Sequence, residues 1–296
     1  MRIVVAGASG FLGSHLVTEL TGRGHEVVRL VRRPATVADE SEWDPYAGVV
    51  DQQVVDGADA VVNLAASPTF GNPHSKKWAH NLRTSRVTTT RVLAESVAAA
   101  PRPPAFVNGQ AIGWYGDHRD EVITEESDSR GSTFVTKVCR DWEDAAGPAV
   151  GAGGRVALLR AAPIIDRKIA PLKLQVPLFR IGLGSRLGNG SQYFSVISLQ
   201  DWVGAAAFVV EHDSLAGPVN LSCPVPPTNR EYTDALARNM GRRARLAVPA
   251  MVIEKAAGVL ASEAVGSMRV EPTALLAAGF TFRNDDVDAV LRAALG

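Results

Sequence analysis

The sequence predicts an α/β protein in which a doubly wound, mostly parallel sheet is joined to a smaller, mainly helical C-terminal lobe. Three observations carry that prediction. An apolar strand at the N-terminus runs into a glycine-rich turn and an amphipathic helix, strand-like and helix-like runs then alternate as far as Arg160, and the texture changes after Pro163.

Taken in order, Ile3-Val4-Val5-Ala6 reads as a buried parallel strand, and Gly7-Ala8-Ser9-Gly10-Phe11-Leu12-Gly13 as the turn that follows it. Residues 14–20 form an amphipathic run that Gly22 and Gly24 stop, and residues 26–31 make a second strand that ends on Arg32-Arg33. Residues 59–66 are another buried strand, closing on small residues. A helix over 76–99 ends at Pro101, Pro103 and Pro104, and is followed by a strand at 105–108, a helix at 134–146 and a strand at 155–160. Such alternation places helices on both faces of a Rossmann-like sheet.

Beyond Pro163 come Pro171, Pro177, a glycine-rich stretch from 182 to 190, and Pro224-Val225-Pro226-Pro227. The expected division is therefore a dinucleotide domain over 1–163, to which a helix and strand within 199–222 return, and a cap lobe over 164–198 and 223–296. Residues 229–241 and 251–296 are expected to be mainly helical and to cover the crevice at the carboxyl ends of the strands.

The opening turn suits a dinucleotide. Backbone N–H groups at a helix start point at a pyrophosphate, and the helix dipole favours the anion by ~0.3–1 kcal/mol. Gly7 allows the tight turn, Gly10 leaves room for phosphate and Gly13 lets the helix pack on the sheet, so Gly7, Ser9, Gly10, Phe11, Leu12 and Gly13 are the first candidate cofactor residues. A glycine turn without a ligand is the competing reading. At the end of the second strand, where an acidic side chain would select NAD, stand Arg32 and Arg33. A guanidinium pairs with the 2′-phosphate of NADP, so NADP(H) is expected over NAD(H), with solvated surface arginines as the alternative. Asp39 and Glu40 lie too far along the chain to take the acidic role.

Composition narrows the partners. The 296 residues carry 31 basic and 31 acidic side chains, so no net charge argues for nucleic acid or an anionic membrane. No apolar run approaches the ~18 residues of a membrane span, and the N-terminal apolar stretch is too short for a signal peptide. Cys139 and Cys223 read as reduced thiols of a cytoplasmic protein, and the six histidines show no metal-ligand spacing.

Several further stretches appear in order: Trp43-Asp44-Pro45, Asn63-Leu64-Ala65-Ala66, Ser85-Arg86-Val87, Gly113-Trp114-Tyr115-Gly116-Asp117, Cys139-Arg140-Asp141-Trp142-Glu143, Gly182-Leu183-Gly184 and Ala277-Ala278-Gly279-Phe280-Thr281-Phe282-Arg283. Together with the glycine turn they resemble the extended short-chain dehydrogenase/reductases, the superfamily of nucleotide-sugar epimerases and dehydratases. More narrowly, the chain is similar to an atypical epimerase-like family with its own C-terminal domain, sometimes labelled a cell-division inhibitor. The resemblance implies that Asp44 lies near the adenine and that Leu64, Ala65 and Ala66 pass under the ribose and pyrophosphate. It further implies that Asn108 and Gly109 reach the nicotinamide, which Pro163 borders.

The superfamily's proton machinery is missing. Its members use a Ser or Thr after the fifth strand and a Tyr-x-x-x-Lys on the next helix. Here Phe134 and Val138, or Val135 and Cys139 one residue on, occupy the Tyr and Lys slots, and Gln110 occupies the serine slot. An amide donates a hydrogen bond but does not relay a proton as a hydroxyl does. Three nearby groups remain. Tyr115 is the first choice as acid, with a packing role as the alternative; Lys137 is the second, although the stripe of Phe134, Val138, Trp142 and Ala145 turns it toward Asp141. Cys139 is the third and reads more readily as packing.

In the second lobe, Arg180 and Arg186 flank a glycine-rich loop suited to an anionic or polyhydroxyl substrate, or alternatively form a solvated turn. Two functions follow. One is an NADP-dependent oxidoreductase or isomerase acting on a small polar or nucleotide-linked molecule; the other is a nonenzymatic NADP(H) sensor read by another protein. Pairing into a homodimer through helices flanking the sheet is a further expectation from related folds.

Overall fold

Residues 1–69 and 71–296 are described by the structure, a computed structural model. Eight strands form the central sheet: β1 (Arg2–Ala6), β2 (Glu26–Val31), β3 (Glu40–Asp44), β4 (Val49–Val50), β5 (Ala60–Asn63), β6 (Ala105–Ala111), β7 (Val156–Ala161) and β8 (Gly217–Leu221). Their spatial order is β8-β7-β6-β5-β1-β2-β3-β4, parallel throughout except for the antiparallel β3/β4 edge. The chain winds outward from β1 in one direction through β2 and β3, then in the other from β5 to β8. The reversal lies between β1 and β5, and ligands of such sheets sit in the crevice there.

Both faces are covered, which explains the uninterrupted apolar runs. Ile3 and Val5 of β1 face a core with Leu16 and Leu20 of α1 (Phe11–Gly22) and Trp202, Ala206 and Val210 of α4 (Leu199–Glu211). Val4 of the same strand faces the opposite core, with Leu93 and Val97 of α2 (Lys76–Ala99). Strand alternation thus divides β1 between two layers. On the second layer, α3 (Phe134–Asp144) adds Val138, Cys139 and Trp142 as buried residues.

A third core belongs to the second lobe. Leu172 and Phe179 pack there with Tyr232 and Leu236 of α5 (Asn229–Asn239) and Val290 and Leu291 of α6 (Val287–Leu295). Thr228 caps α5 in a reciprocal pair with Glu231, which fixes where that helix starts. The tail does more than cap. Leu275 enters the first sheet core, Phe280 meets Phe208 of α4 at 5.4 Å, and Arg269–Val270 pairs with Val122–Ile123. Apolar side chains at 275, 280 and 282 thereby seal the α4 layer, so the tail divides between lobe and sheet. The lobe also contains a short parallel pair, Ser185–Leu187 with Leu246–Val248.

Candidate functional site

At the switch point, the turn after β1 touches the chain leaving β5. Gly7 has φ +81°, and a Cβ on it would lie 2.6 Å from the Leu64 carbonyl carbon and oxygen. Gly13 is tighter still, since its Cβ would stand 2.1 Å from the Gly7 oxygen. Only glycine lets these three segments meet. α2, α3, α4 and α5 are capped by the side chains of Ser75, Thr133, Ser198 and Thr228, whereas α1 begins at Gly10 with no side-chain cap and no acidic residue in its first turn. At its start the Gly10 N–H is taken by the Gly7 oxygen at 2.9 Å, which leaves the backbone donors at 11–13 without a partner among the described residues.

The crevice is a cleft of about 680 Å³, with Gly7, Ser9 and Gly10 on one side and Leu64, Ala65 and Ala66 on the other. A buried polar network sets the second side. Asn63 donates to Thr90 Oγ1 and to Asn108 Oδ1, both at 2.9 Å, and its own Oδ1 accepts from the Ala65 N–H at 3.1 Å. Thr90 Oγ1 also accepts from the Trp142 indole at 2.9 Å and donates to Asn108 at 3.1 Å. The network joins β5, β6, α2 and α3 beneath the cleft, which leaves Asn108 holding the floor. Gly109 follows, where a Cβ would come within 3.2 Å of the Asn63 oxygen and of the Leu64 side chain.

Next on β6 is Gln110, 4% exposed, whose amide oxygen and nitrogen are buried with no hydrogen-bond partner. Two unpaired amide atoms in the interior carry a desolvation cost of ~1–3 kcal/mol each, and Gln110 is not among the residues that line the cleft. The adjacent strand end carries Arg160, paired with Glu143 at 2.8 Å and stacked 3.6 Å over the Trp114 ring. That cation fixes the turn at 113–116.

A second, smaller chamber of about 180 Å³ opens beside this turn, walled by Asp117, Thr133, Thr136, Ser262, Glu263 and Met268. Among the described residues, no group of three or more His, Cys, Asp or Glu is placed to hold a metal ion.

One curated relative, an epimerase family protein of Mycobacterium leprae, is 40% identical over 290 residues, covering 98% of this chain and 94% of its own. The chain belongs to this epimerase family. Residues 3–139 match the NAD dependent epimerase/dehydratase family, and residues 248–294 match a domain of unknown function, DUF1731. The human epimerase family protein SDR39U1 has been solved with NADPH; it superposes with a TM-score of 0.88 at 28% identity, and the match covers 99% of both chains. A nucleoside-diphosphate sugar epimerase from Corynebacterium glutamicum superposes at 0.81 with 32% identity, and this chain spans 58% of it. The resemblance read from the motifs and the doubly wound fold are both shown by these matches.

Within this family member, several expected site residues stand elsewhere than the sequence implied. Tyr115 is fully buried and donates its hydroxyl to Asn220 Oδ1 at 2.7 Å, and burial raises its pKa above the usual phenol value. Its hydroxyl proton is therefore engaged inside the protein, and it lines neither the cleft nor the chamber. Lys137 is exposed on α3, lines neither cavity, and does not meet Asp141, which pairs instead with Arg83 at 2.6 Å. Cys139 is buried, and desolvation pushes its thiol up to about 12.

On the cleft rim, Arg33 is held by Glu40 through two hydrogen bonds of 2.8 and 2.6 Å. Glu40 is distant in sequence from the end of β2 yet adjacent in space, because β3 pairs beside β2. The Arg33 hydrogen bonds hold its carboxyl down to about 2. Arg32 also lines the cleft and is exposed. Asp44 does not line it; its carboxylate accepts from the Tyr46 and Ala47 N–H groups at 2.9 and 3.1 Å, and the neighbours Trp43, Pro45 and Tyr46 form the wall instead. Pro163 accepts from the Ile197 N–H at 3.1 Å. Arg180 is exposed at the end of its helix, and Arg186 is half-buried in the 185–187 strand with its Nε unpaired. Neither arginine lines the cleft or the chamber.

Sequence reasoning missed Trp43, Tyr46, Ser67, Ser85 and Thr89 as cleft residues, and Glu263 in the chamber. Trp43 and Ser85 lay inside the quoted motifs and were the available signal. Glu263 had none, since it comes to the site from a tail 150 residues beyond Gly113.

Proposed function

We propose that this chain binds NADP(H) across the switch-point cleft and works as an atypical oxidoreductase or epimerase-like enzyme on a small polar or nucleotide-linked substrate. The observation that carries the reading is the junction of an uncapped helix start with a glycine approach that no side chain fits. The first-turn donors at Phe11, Leu12 and Gly13 would hold the pyrophosphate, with Gly10 giving it room, and Leu64, Ala65 and Ala66 would lie under it. Arg32 would take the 2′-phosphate, while Arg33 neutralises Glu40 and keeps that carboxylate from repelling it.

The Gln110 amide, with both polar atoms unpaired, would bind and orient the nicotinamide end or the substrate oxygen beside it. Gly109 and Pro163 would border the same end. When bound, the nicotinamide supplies hydride exchange, and the protein's part is orientation, which can account for much of the rate. NAD(H) would bind the same cleft without the Arg32 contact. The human relative solved with NADPH supports this choice of cofactor.

A specific observation favours a second reading, a nonenzymatic NADP(H) sensor: Tyr115 is tied to Asn220 and Lys137 stands clear of both cavities. Purified protein separates the two. An enzyme consumes NADPH in the presence of at least one carbonyl or nucleotide-sugar in a broad panel. A sensor shows a raised melting temperature with NADPH and no substrate-dependent consumption across that panel.

A further inference from the structure

Gly113 lies at the start of the turn after β6, and the side chains around it define what its missing Cβ makes room for. A Cβ there would stand 2.9 Å from Val135 Cγ1, 3.3 Å from Glu263 Oε2 and 3.5 Å from Cys139 Sγ. Val135 and Cys139 occupy one register of the lost Tyr and Lys slots. The Glu263 carboxylate therefore lies beside one of the two registers of the lost slots, delivered by the short helix Ala261–Val265 of the C-terminal domain.

We propose that Glu263 is the catalytic acid and base of this site, exchanging a proton with the substrate oxygen beside the nicotinamide. The inference rests on the NADP(H) reading above.

Two features of the chamber point to a ligand. Glu263 has no ion pair or hydrogen bond among the described residues, and burial alone raises its carboxyl to about 7, where it both gives and takes protons near neutrality. The neighbouring Ser262 hydroxyl, also on the chamber wall, is buried without a partner. The titratable and charged groups around them are Asp117 on the same wall and, across the Cys139 thiol, Arg86, Glu143 and Arg160.

In the reducing direction, hydride from the nicotinamide forms the new C–H bond at a carbonyl carbon. The carbonyl π pair passes to oxygen, and the Glu263 carboxyl protonates that oxygen to give an alcohol. Oxidised cofactor and the Glu263 carboxylate remain, and the carboxylate regains its proton from solvent. Oxidation runs the same steps in reverse.

A carboxylate acting beside the nicotinamide would couple its proton to the cofactor's charge. The cationic ring of NADP+ favours the ionised carboxylate, so binding of NADP+ releases a proton, whereas binding of NADPH does not. Titration calorimetry of each cofactor form at pH 6 and pH 8 tests this on the full chain. The expected result is an NADP+ dissociation constant that falls about tenfold from pH 6 to pH 8, a flat NADPH constant, loss of the NADP+ dependence in Glu263→Gln and its retention in Glu263→Asp. Equal pH profiles in the wild type and Glu263→Gln, with both cofactors bound, would overturn the role of Glu263 alone. Failure of either cofactor form to bind the wild type at any pH would overturn it together with the NADP(H) reading.

Discussion

The Tyr115 hydroxyl donates 2.7 Å to Asn220 Oδ1 across the seam between the turn after β6 and strand β8, in a position with no solvent exposure. Asn220 passes the constraint onward, since its Nδ2 donates to the Glu271 oxygen at 3.0 Å and its N–H to Glu125 Oε1 at 3.0 Å. The phenol thus ties the sheet to the C-terminal tail. Tyr115→Phe is expected to cost ~1–3 kcal/mol of stability, because the Asn220 oxygen loses its donor in the interior. Urea denaturation measures that loss, and NADPH affinity should stay within about twofold of wild type. Unchanged stability with abolished turnover would return Tyr115 to the chemistry.

Gly7→Ala should fail in a different way. Its φ of +81° and the 2.6 Å approach to Leu64 leave no place for a methyl group, so β1 and β5 must separate at the cleft. A strained backbone of this kind costs ~1–3 kcal/mol. NADPH affinity, measured by fluorescence titration, should fall at least tenfold because the pyrophosphate donors move with the turn. Wild-type affinity in the variant would contradict the cradle.

The buried Asn63–Thr90–Asn108 network predicts a loss of ordering. Thr90→Val removes the acceptor shared by Asn63 and Trp142 and the donor to Asn108. Several buried groups then lack partners, with an expected loss of ~2–5 kcal/mol, weakened NADPH binding and faster amide exchange at Ala65. Hydrogen exchange read at residue 65 checks it. Protection equal to wild type would show that the network does not hold the floor.

Glu263 also sets a pH dependence of stability. Its folded value, near 7, lies above the ordinary carboxylate range, so between those two values the folded chain binds more protons than the unfolded chain. Stability should therefore fall as pH rises from about 4.5 to about 7 and level off above that, relative to Glu263→Gln. Denaturation midpoints of the two proteins across that range measure the difference. Parallel curves would contradict an unpaired, partly desolvated carboxyl.

The legible part of this fold was local in the chain. The glycine turn, α2 over Lys76–Ala99 and six of the eight strands of the sheet follow from neighbours within a few residues, whereas β3 and β4 were not expected from the sequence. What the sequence hid depended on pairing between distant segments. Glu40 reaches Arg33 only because β3 lies beside β2, and Asp44 turns from the cleft because the backbone amides at 46 and 47 compete for its carboxylate. Tyr115 and Asn220 meet through the order of β6, β7 and β8, and Glu263 meets Gly113 through the packing of the tail. No periodicity encodes such contacts.

The central claim is that the cleft holds NADP(H) with Arg32 on the 2′-phosphate. Calorimetric titration of NADPH and NADH into wild type and Arg32→Ala tests it most directly. The predicted result is tighter NADPH than NADH binding to wild type, with NADPH weakened roughly 10- to 100-fold by Arg32→Ala and NADH left nearly unchanged. Equal affinities for the two cofactors in wild type, or equal losses in the variant, would contradict it.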